Sequence, residues 1–344
     1  MSATVIDMRR DDLWGSVADH RFGSLFSSPP WIEAVARAYG FEMSASVQLK
    51  SGVVAAGVPF VHVRDIRGER IVCLPFSDYC DPLVEDGEAW RDLVDPIFAY
   101  DLPIALRCLR NSVPVEDARF QAHLRGLWHG VDLIRSEDDL WSTLDGSARQ
   151  NVRKAQRNGV TVREGRTLLD VRTFHEMHCR LRKSKHRLLA QPLGFFETLY
   201  EVFSPSDGLT VLLAECSGKV VAGILFLEWG DTLYYKFNAS VDQRHCPNDL
   251  LAWEGIRMGR RRGLARLDFG LSDIEQPGLV RYKRKFATEE KGIQFLRWRP
   301  QGYSDPRAEE ATQMLGRVTS LLTDPAVPDD IARAAGNELY RYFC

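Results

Sequence analysis

Three groups of residues have the types and spacing that chemistry asks for. Arg149, Arg153 and Arg157 recur every four residues in SARQNVRKAQRNG, so a helix sets their guanidinium groups in one stripe. With Lys154 beside it, such a stripe suits phosphate oxygens, which the planar guanidinium fork bonds in pairs; the alternative is a solvated basic face. Tyr234, Lys236 and Asn238 alternate along TLYYKFNAS, so a strand turns them to one side and Tyr235 and Phe237 to the other. The trio binds a polar substrate if its side lines a cleft; otherwise it is core aromatics beside a solvated lysine. Asp268 ends the apolar run ARLDFGL. A carboxylate there either takes a proton from an amine or caps the next turn through the Ser272 and Asp273 amides. His175 and His178 in FHEMHCR have i, i+3 spacing, but the string is not HExxH and no partner cluster accompanies it, so no metal site is expected. Asp78 and Asp81 in LPFSDYCDP either line a groove or serve the turn, and turn chemistry is the simpler reading.

The elements that must position these residues run in an order that repeats. SPPWIEAVARAYG reads as a helix closed by Gly40, followed by three apolar stretches, MSASVQLK, VVAAGVPFVHV and RIVCLPFS. Turn signals at Ser51-Gly52 and Gly68 make these an antiparallel meander, with a helix over GEAWRDLVDPIFAY and a strand over PIALRCLR to follow. Beyond Ser136, DDLWSTLDGSARQNVRKAQRNG reads as one long helical region, and VTVRE as a strand. Two helices come next, then three strands, LTVLLAEC, VVAGILFLEW and TLYYKFNAS, joined at Ser217-Gly218 and Gly230-Asp231. A helix over NDLLAWEGIRMGRRRG, the strand ARLDFGL, a helix over GLVRYKRKFATEE and the strand GIQFLRW complete the order. A meander entering a helix and then a parallel-type strand is an α/β layer of mixed pairing. GxGxxG and GxxxxGK[ST] are both absent, which sets aside Rossmann and P-loop readings.

The whole chain bounds the rest. Its 344 residues are about two ordinary domains. With 44% apolar and 27% charged residues there is material for a large core. No run of about 18 apolar residues is present to span a bilayer, and MSATVIDMRRDDLW lacks the apolar centre of a secretory signal. Seven scattered cysteines without CxxC spacing argue against a disulfide framework or structural zinc, so a reducing cytoplasm is the expected setting. The net charge of −2 by itself points to no nucleic-acid partner. Its distribution is uneven: from Ser147 to Ala190 twelve Lys or Arg face three acidic residues. That asymmetry can steer an anionic ligand.

Four stretches together resemble the GNAT superfamily and, within it, the FemABX-like branch of peptidoglycan interpeptide-bridge aminoacyltransferases. They are SARQNVRKAQRNGVTVREG, GKVVAGILFLEWGDTLYYKFNAS, NDLLAWEGIRMGRRRGLARLDFG and GLVRYKRKFATEE, in the family's order over about 145–297. PPWIEA and LPFSDYCDP match more weakly in the first half. The resemblance implies an α/β (α+β) fold of tandem GNAT-like domains, each a mixed, mostly antiparallel sheet flanked by helices. Boundaries are expected at 1–135 and 136–300, with 301–344 a helical tail packing back on the body. It implies N-acyl transfer from an activated ester or thioester to an amine. Lys283 and Tyr282 match the branch's aromatic–lysine pair, which implies a lysine near the transferring carbonyl, while RYKRK alone reads as a solvated basic turn. Asp268 then borders the cleft, and Arg149, Arg153, Arg157, Tyr234, Lys236 and Asn238 become substrate-binding candidates. The amine would belong to a cell-wall precursor or small metabolite.

The donor is a separate question. Acyl-CoA enzymes of this type hold the pyrophosphate on a glycine-rich loop at a helix N-terminus. Here that segment is DQRHCPNDLLAWEG, with no glycine in the loop and Asp249 placed to satisfy the same amides and repel a phosphate. This departure favours aminoacyl-tRNA over acyl-CoA as co-substrate, with Arg257, Arg260, Arg261 and Arg262 as backbone contacts and no bound cofactor. Two alternatives stay open: an acyl-CoA-dependent N-acetyltransferase, and a GNAT fold that binds a sugar or nucleotide without turnover. Oligomeric state is not legible.

Overall fold

The computed structural model describes residues 3–344, apart from the side chains of residues 18 and 19, so the first two residues of the N-terminal stretch lie outside it. Its strands are Thr4–Asp7 (β1), Ser44–Lys50 (β2), Val53–Asp65 (β3), Gly68–Val72 (β4), Ile104–Cys108 (β5), Gln121–Asp132 (β6), Thr161–Gly165 (β7), Leu209–Cys216 (β8), Lys219–Trp229 (β9), Thr232–Ser240 (β10), Arg266–Asp273 (β11) and Glu289–Trp298 (β12). Its α-helices are Pro29–Tyr39 (α1), Gly87–Phe98 (α2), Glu137–Thr143 (α3), Gly146–Arg157 (α4), Leu168–Leu181 (α5), Leu193–Phe203 (α6), Pro247–Arg261 (α7), Pro277–Arg284 (α8), Pro306–Leu322 (α9) and Asp329–Leu339 (α10). The chain forms two compact units. The first takes the residues up to Gly126 with Gly292–Arg317 and Arg341–Cys344, the second Leu127–Lys291 with Val318–Tyr340.

In the first unit the sheet order is β1-β2-β3-β4-β5-β12. Ser28 caps α1, with prolines in its first turn, and Gly40 closes the helix in the left-handed conformation. The β2–β3–β4 meander is antiparallel, whereas β5 lies parallel to β4. The LPFSDYCDP segment is a turn built on Asp81. Its buried carboxylate collects the amides of Leu109, Arg110 and Asn111 at 2.8–3.0 Å, and burial pushes it above the ordinary carboxyl value.

In the second unit the order is β6-β11-β10-β9-β8-β7. A helical layer of α4 and α7 covers one face, with Ala148, Val152, Leu251, Ile256 and Phe226 in a shared core. On the other face His178 of α5 and Phe195 and Phe196 of α6 enclose Phe237 of β10, with Phe174 of α5 packed on Phe196. Three sequence expectations are corrected here. β6 was not foreseen. The long helix over DDLWSTLDGSARQNVRKAQRNG is two helices, because Leu144 is extended and Asp145 caps α4 by accepting from Ser147 N. The helix over GLVRYKRKFATEE stops at Arg284, and Glu289 and Glu290 open β12 instead.

Candidate active site

β10 and β11 run parallel, with Thr232, Leu233 and Tyr234 opposite Arg266, Leu267 and Asp268. Among the described residues that register ends at Tyr234 and Asp268, although both strands continue. Parting strands leave main-chain groups that need other partners. Lys283 of α8 supplies them: its Nζ donates to Gly270 O at 3.2 Å and Leu271 O at 2.8 Å. The side chain is only 5% exposed, so Lys283 is no part of a solvated basic turn. Asp268, also buried, folds its Oδ1 onto the Gly270 amide at 2.5 Å and not onto Ser272 or Asp273. Gly270 has φ +68, a conformation a side chain would strain. Asp268, Gly270 and Lys283 thus form one linked device at the parting of the strands.

His129 of β6 stands near this device and was not singled out from the sequence. Its ring is fully buried, with Nε2 at 2.9 Å from Glu290 Oε2. Arg284 grips the same carboxylate through two bonds of 2.6 and 2.8 Å. Burial, and next the Lys283 charge, push His129 below the ordinary imidazole value. A neutral ring whose Nε2–H donates to Glu290 keeps its lone pair on Nδ1, and that atom is buried without a partner. The sequence did contain a signal, the apolar run Leu127–Val131. Gly130 stands within it because the Trp128 ring packs where a side chain at 130 would go.

Tyr282 also turns inward. Its hydroxyl donates to Asn248 O at 3.0 Å, and burial holds its phenol well above the ordinary value. It therefore ties α8 to the start of α7. There the loop has its expected lack of glycine, Cys246 is left-handed and makes no side-chain cap, and Pro247 contributes no N–H. Asp249 meets its own amide in the first turn of α7, and its carboxylate also accepts from Asn151 Nδ2 at 3.1 Å and lies 3.8 Å from Lys285 Nζ. Burial pushes it above the ordinary carboxyl value.

The expected trio on β10 is rearranged by a bulge. Tyr235 lies opposite Phe226 and Phe237 opposite Leu225, so Lys236 is an extra residue and the alternation inverts beyond it. Tyr235 packs on Phe226 and Phe269, while Phe237 turns to α5 and α6. Asn238 consequently comes to Tyr235 and to Asn248, whose Oδ1 is 3.4 Å from its Nδ2, and not to the side of Tyr234. Of the arginine stripe, Arg149 is occupied: its Nη1 donates to Ser142 O and Leu144 O at 2.7 and 2.6 Å, closing α3. Arg153 lies over the Trp141 ring, and Arg157 is exposed. The cluster on α7 is engaged as well: Arg257 with Glu137 and Glu254, Arg260 with Arg135 O, Arg261 with Glu164, Arg262 with Glu164 and Glu228. His175 and His178 both bond Gln191, at 3.0 and 2.7 Å.

Residues 146–284 match the family model described as an acetyltransferase (GNAT) domain. Over 179 residues the chain is 23% identical to a UDP-N-acetylmuramoylpentapeptide-lysine N(6)-alanyltransferase of Weissella viridescens, covering 48% of this chain and 53% of that protein. The chain thus spans about half the length of this curated relative. Among solved structures FemX superposes with a TM-score of 0.68 at 15% identity, over 85% of this chain and 96% of its own. A tandem GNAT protein from the clavulanic acid biosynthesis pathway gives 0.53 at 11% identity, over 88% and 99%. These likenesses are of fold, and the expected α/β architecture of mixed sheets flanked by helices is the one found.

Proposed function

We propose that this chain, which carries a GNAT domain and a FemABX-like fold, transfers an acyl group from an activated donor to an amine, with Lys283 as the residue on which the chemistry turns. The observation that carries the reading is a buried lysine, fixed by two carbonyls where two parallel strands part. In the transfer, the amine nitrogen forms a bond to the carbonyl carbon, the bond to the leaving oxygen or sulfur breaks, and the amine's proton ends on that leaving atom. Negative charge gathers on the carbonyl oxygen in between. An immobile ammonium in a dry site stabilises that charge by about 3 kcal/mol, because it needs no reorganisation when the charge appears. Asp268 acts through Gly270, whose carbonyl holds Lys283, and is a positioning residue. Tyr282 is another, fixing α8 on α7.

Aminoacyl-tRNA is the favoured donor. At the start of α7, where acyl-CoA enzymes present amides to a pyrophosphate, this chain places a proline, a buried carboxylate and no glycine. With the α7 arginines already paired, contacts to a tRNA backbone fall to Arg153, Lys154 and Arg157. An amine of a cell-wall precursor is the favoured acceptor, by analogy with the alanyltransferase above, and the cytoplasm is the setting where such a donor is found. No resident cofactor is required for this reaction. Paired titrations with charged tRNA and acetyl-CoA test the donor. Salt-sensitive binding of the tRNA alone is the expected result. Saturable acetyl-CoA binding would make the chain an acyl-CoA transferase, and silence from both would favour binding without turnover.

A further inference from the structure

One face of the first unit's sheet is crowded with guanidinium groups. β12 and β5 pair antiparallel, with Phe295 opposite Arg107 and Arg297 opposite Ala105, and Ala105 lies beside Val72 of β4. Opposed residues share a face and alternate residues return to it, so Arg70, Arg107, Arg297 and Arg299 belong to one side. Arg67 joins them from the β3–β4 turn. Together with Trp298 these five arginines line a cavity of about 690 Å³, a volume ordinary for a small-molecule site.

The protein itself only partly neutralises this charge. Asp65 is held by Arg70 at 3.0 and 2.8 Å and lies 3.9 Å from Arg67. Arg67 also donates to the main-chain oxygen of Cys344 at 2.6 Å, and its Nε is buried without a partner. Arg107 donates to Ser77 O at 2.8 Å and lies over the Phe295 ring, and burial pushes its guanidinium below the ordinary value. Arg297 and Arg299 are exposed, and among the described residues neither makes a hydrogen bond or ion pair. Asp65 is not itself in the lining, and Glu309 is the acidic side chain that is. Like charges on adjoining strands repel, so such a face costs stability unless an anion occupies it. The concave shape favours a compact anion over an extended polymer.

We infer that this cavity binds a small oligophosphate ligand, whose phosphate oxygens bridge Arg297, Arg299 and Arg107 in the paired geometry that guanidinium groups favour. All of its residues belong to the first unit, whereas Lys283 belongs to the second, so the inference does not rest on acyl transfer.

Calorimetric titration of the full chain with pyrophosphate tests it. Saturable binding is expected, weakened about tenfold or more by Arg297→Glu with Arg299→Glu and unchanged by Arg91→Glu, an exposed residue of α2 outside the cavity. Should the double reversal unfold the chain, Arg299→Gln alone repeats the comparison with a smaller loss in the same direction. Absence of saturable binding, or binding that these variants leave unchanged, overturns the inference. So does uptake of a single-stranded RNA oligonucleotide through the same arginines by a chain that ignores pyrophosphate.

Discussion

A lysine and a histidine lie buried close together, and the charge state of the histidine follows from its surroundings. Lys283 keeps its place because Gly270 O and Leu271 O accept from it, while His129 gives up its charge to burial and to that cation. His178 is pushed further, down to about 3, by burial chiefly. The unfolded chain then binds a proton below about pH 6.5 that the folded chain refuses, so stability falls as pH drops from there towards 3. At pH 5 the share of His178 is about 2 kcal/mol, and His129 and His175 act in the same direction. Urea unfolding at pH 7 and pH 5 should show this loss, and His178→Gln should shrink it; an unchanged pH dependence would contradict the buried neutral ring. Tyr282→Phe removes a hydroxyl that turns inward, donating to Asn248 O in the first turn of α7 and meeting the buried Tyr235 hydroxyl. A stability loss of about 1 kcal/mol is expected with transfer slowed no more than a few-fold. A collapse of kcat at unchanged stability would make the phenol catalytic.

At the scale of elements, the junction between α3 and α4 shows how a residue suited to a ligand can serve the fold. Arg149→Ala should cost about 1 kcal/mol in thermal unfolding, since the last carbonyls of α3 lose their donor, whereas Arg157→Ala should leave stability unchanged. Equal effects would restore the view of a uniform solvated stripe. The hairpins β8–β9 and β9–β10 were legible because their turns need positive φ, and Ser217-Gly218 and Gly230 announce it. The bulge at Lys236 was not, because one extra residue leaves no mark in the local alternation yet reassigns every side chain after it. β6 escaped, and Gly130 stands within it where the Trp128 ring packs. The burial of Lys283 could not be read from a run of basic residues; only its match to the aromatic–lysine pattern singled it out. Asp268 was expected at a strand end but is the third residue of β11, and its partner, two residues on, depends on the left-handed conformation at Gly270.

At the scale of the whole molecule, the C-terminal segment is divided. Gly292–Arg317 completes the first unit and Val318–Tyr340 belongs to the second. There Lys183 is held by Asp329 and by Val327 O, and Arg187 by Thr323 O, so the segment pins the irregular stretch between α5 and α6. Ending the chain at Arg317 should raise amide exchange over residues 182–192 well before that of β8–β10; uniform exchange would mean the pinning is of no consequence. Transfer itself decides the central claim. Single-turnover reaction of the full chain with labelled aminoacyl-tRNA and a lysine-bearing cell-wall precursor peptide should give the amide. Lys283→Met should bind the same donor with unchanged affinity and react about 10²–10³ times more slowly. Transfer by that variant at the parent rate would remove Lys283 from the chemistry, and with it the proposed site.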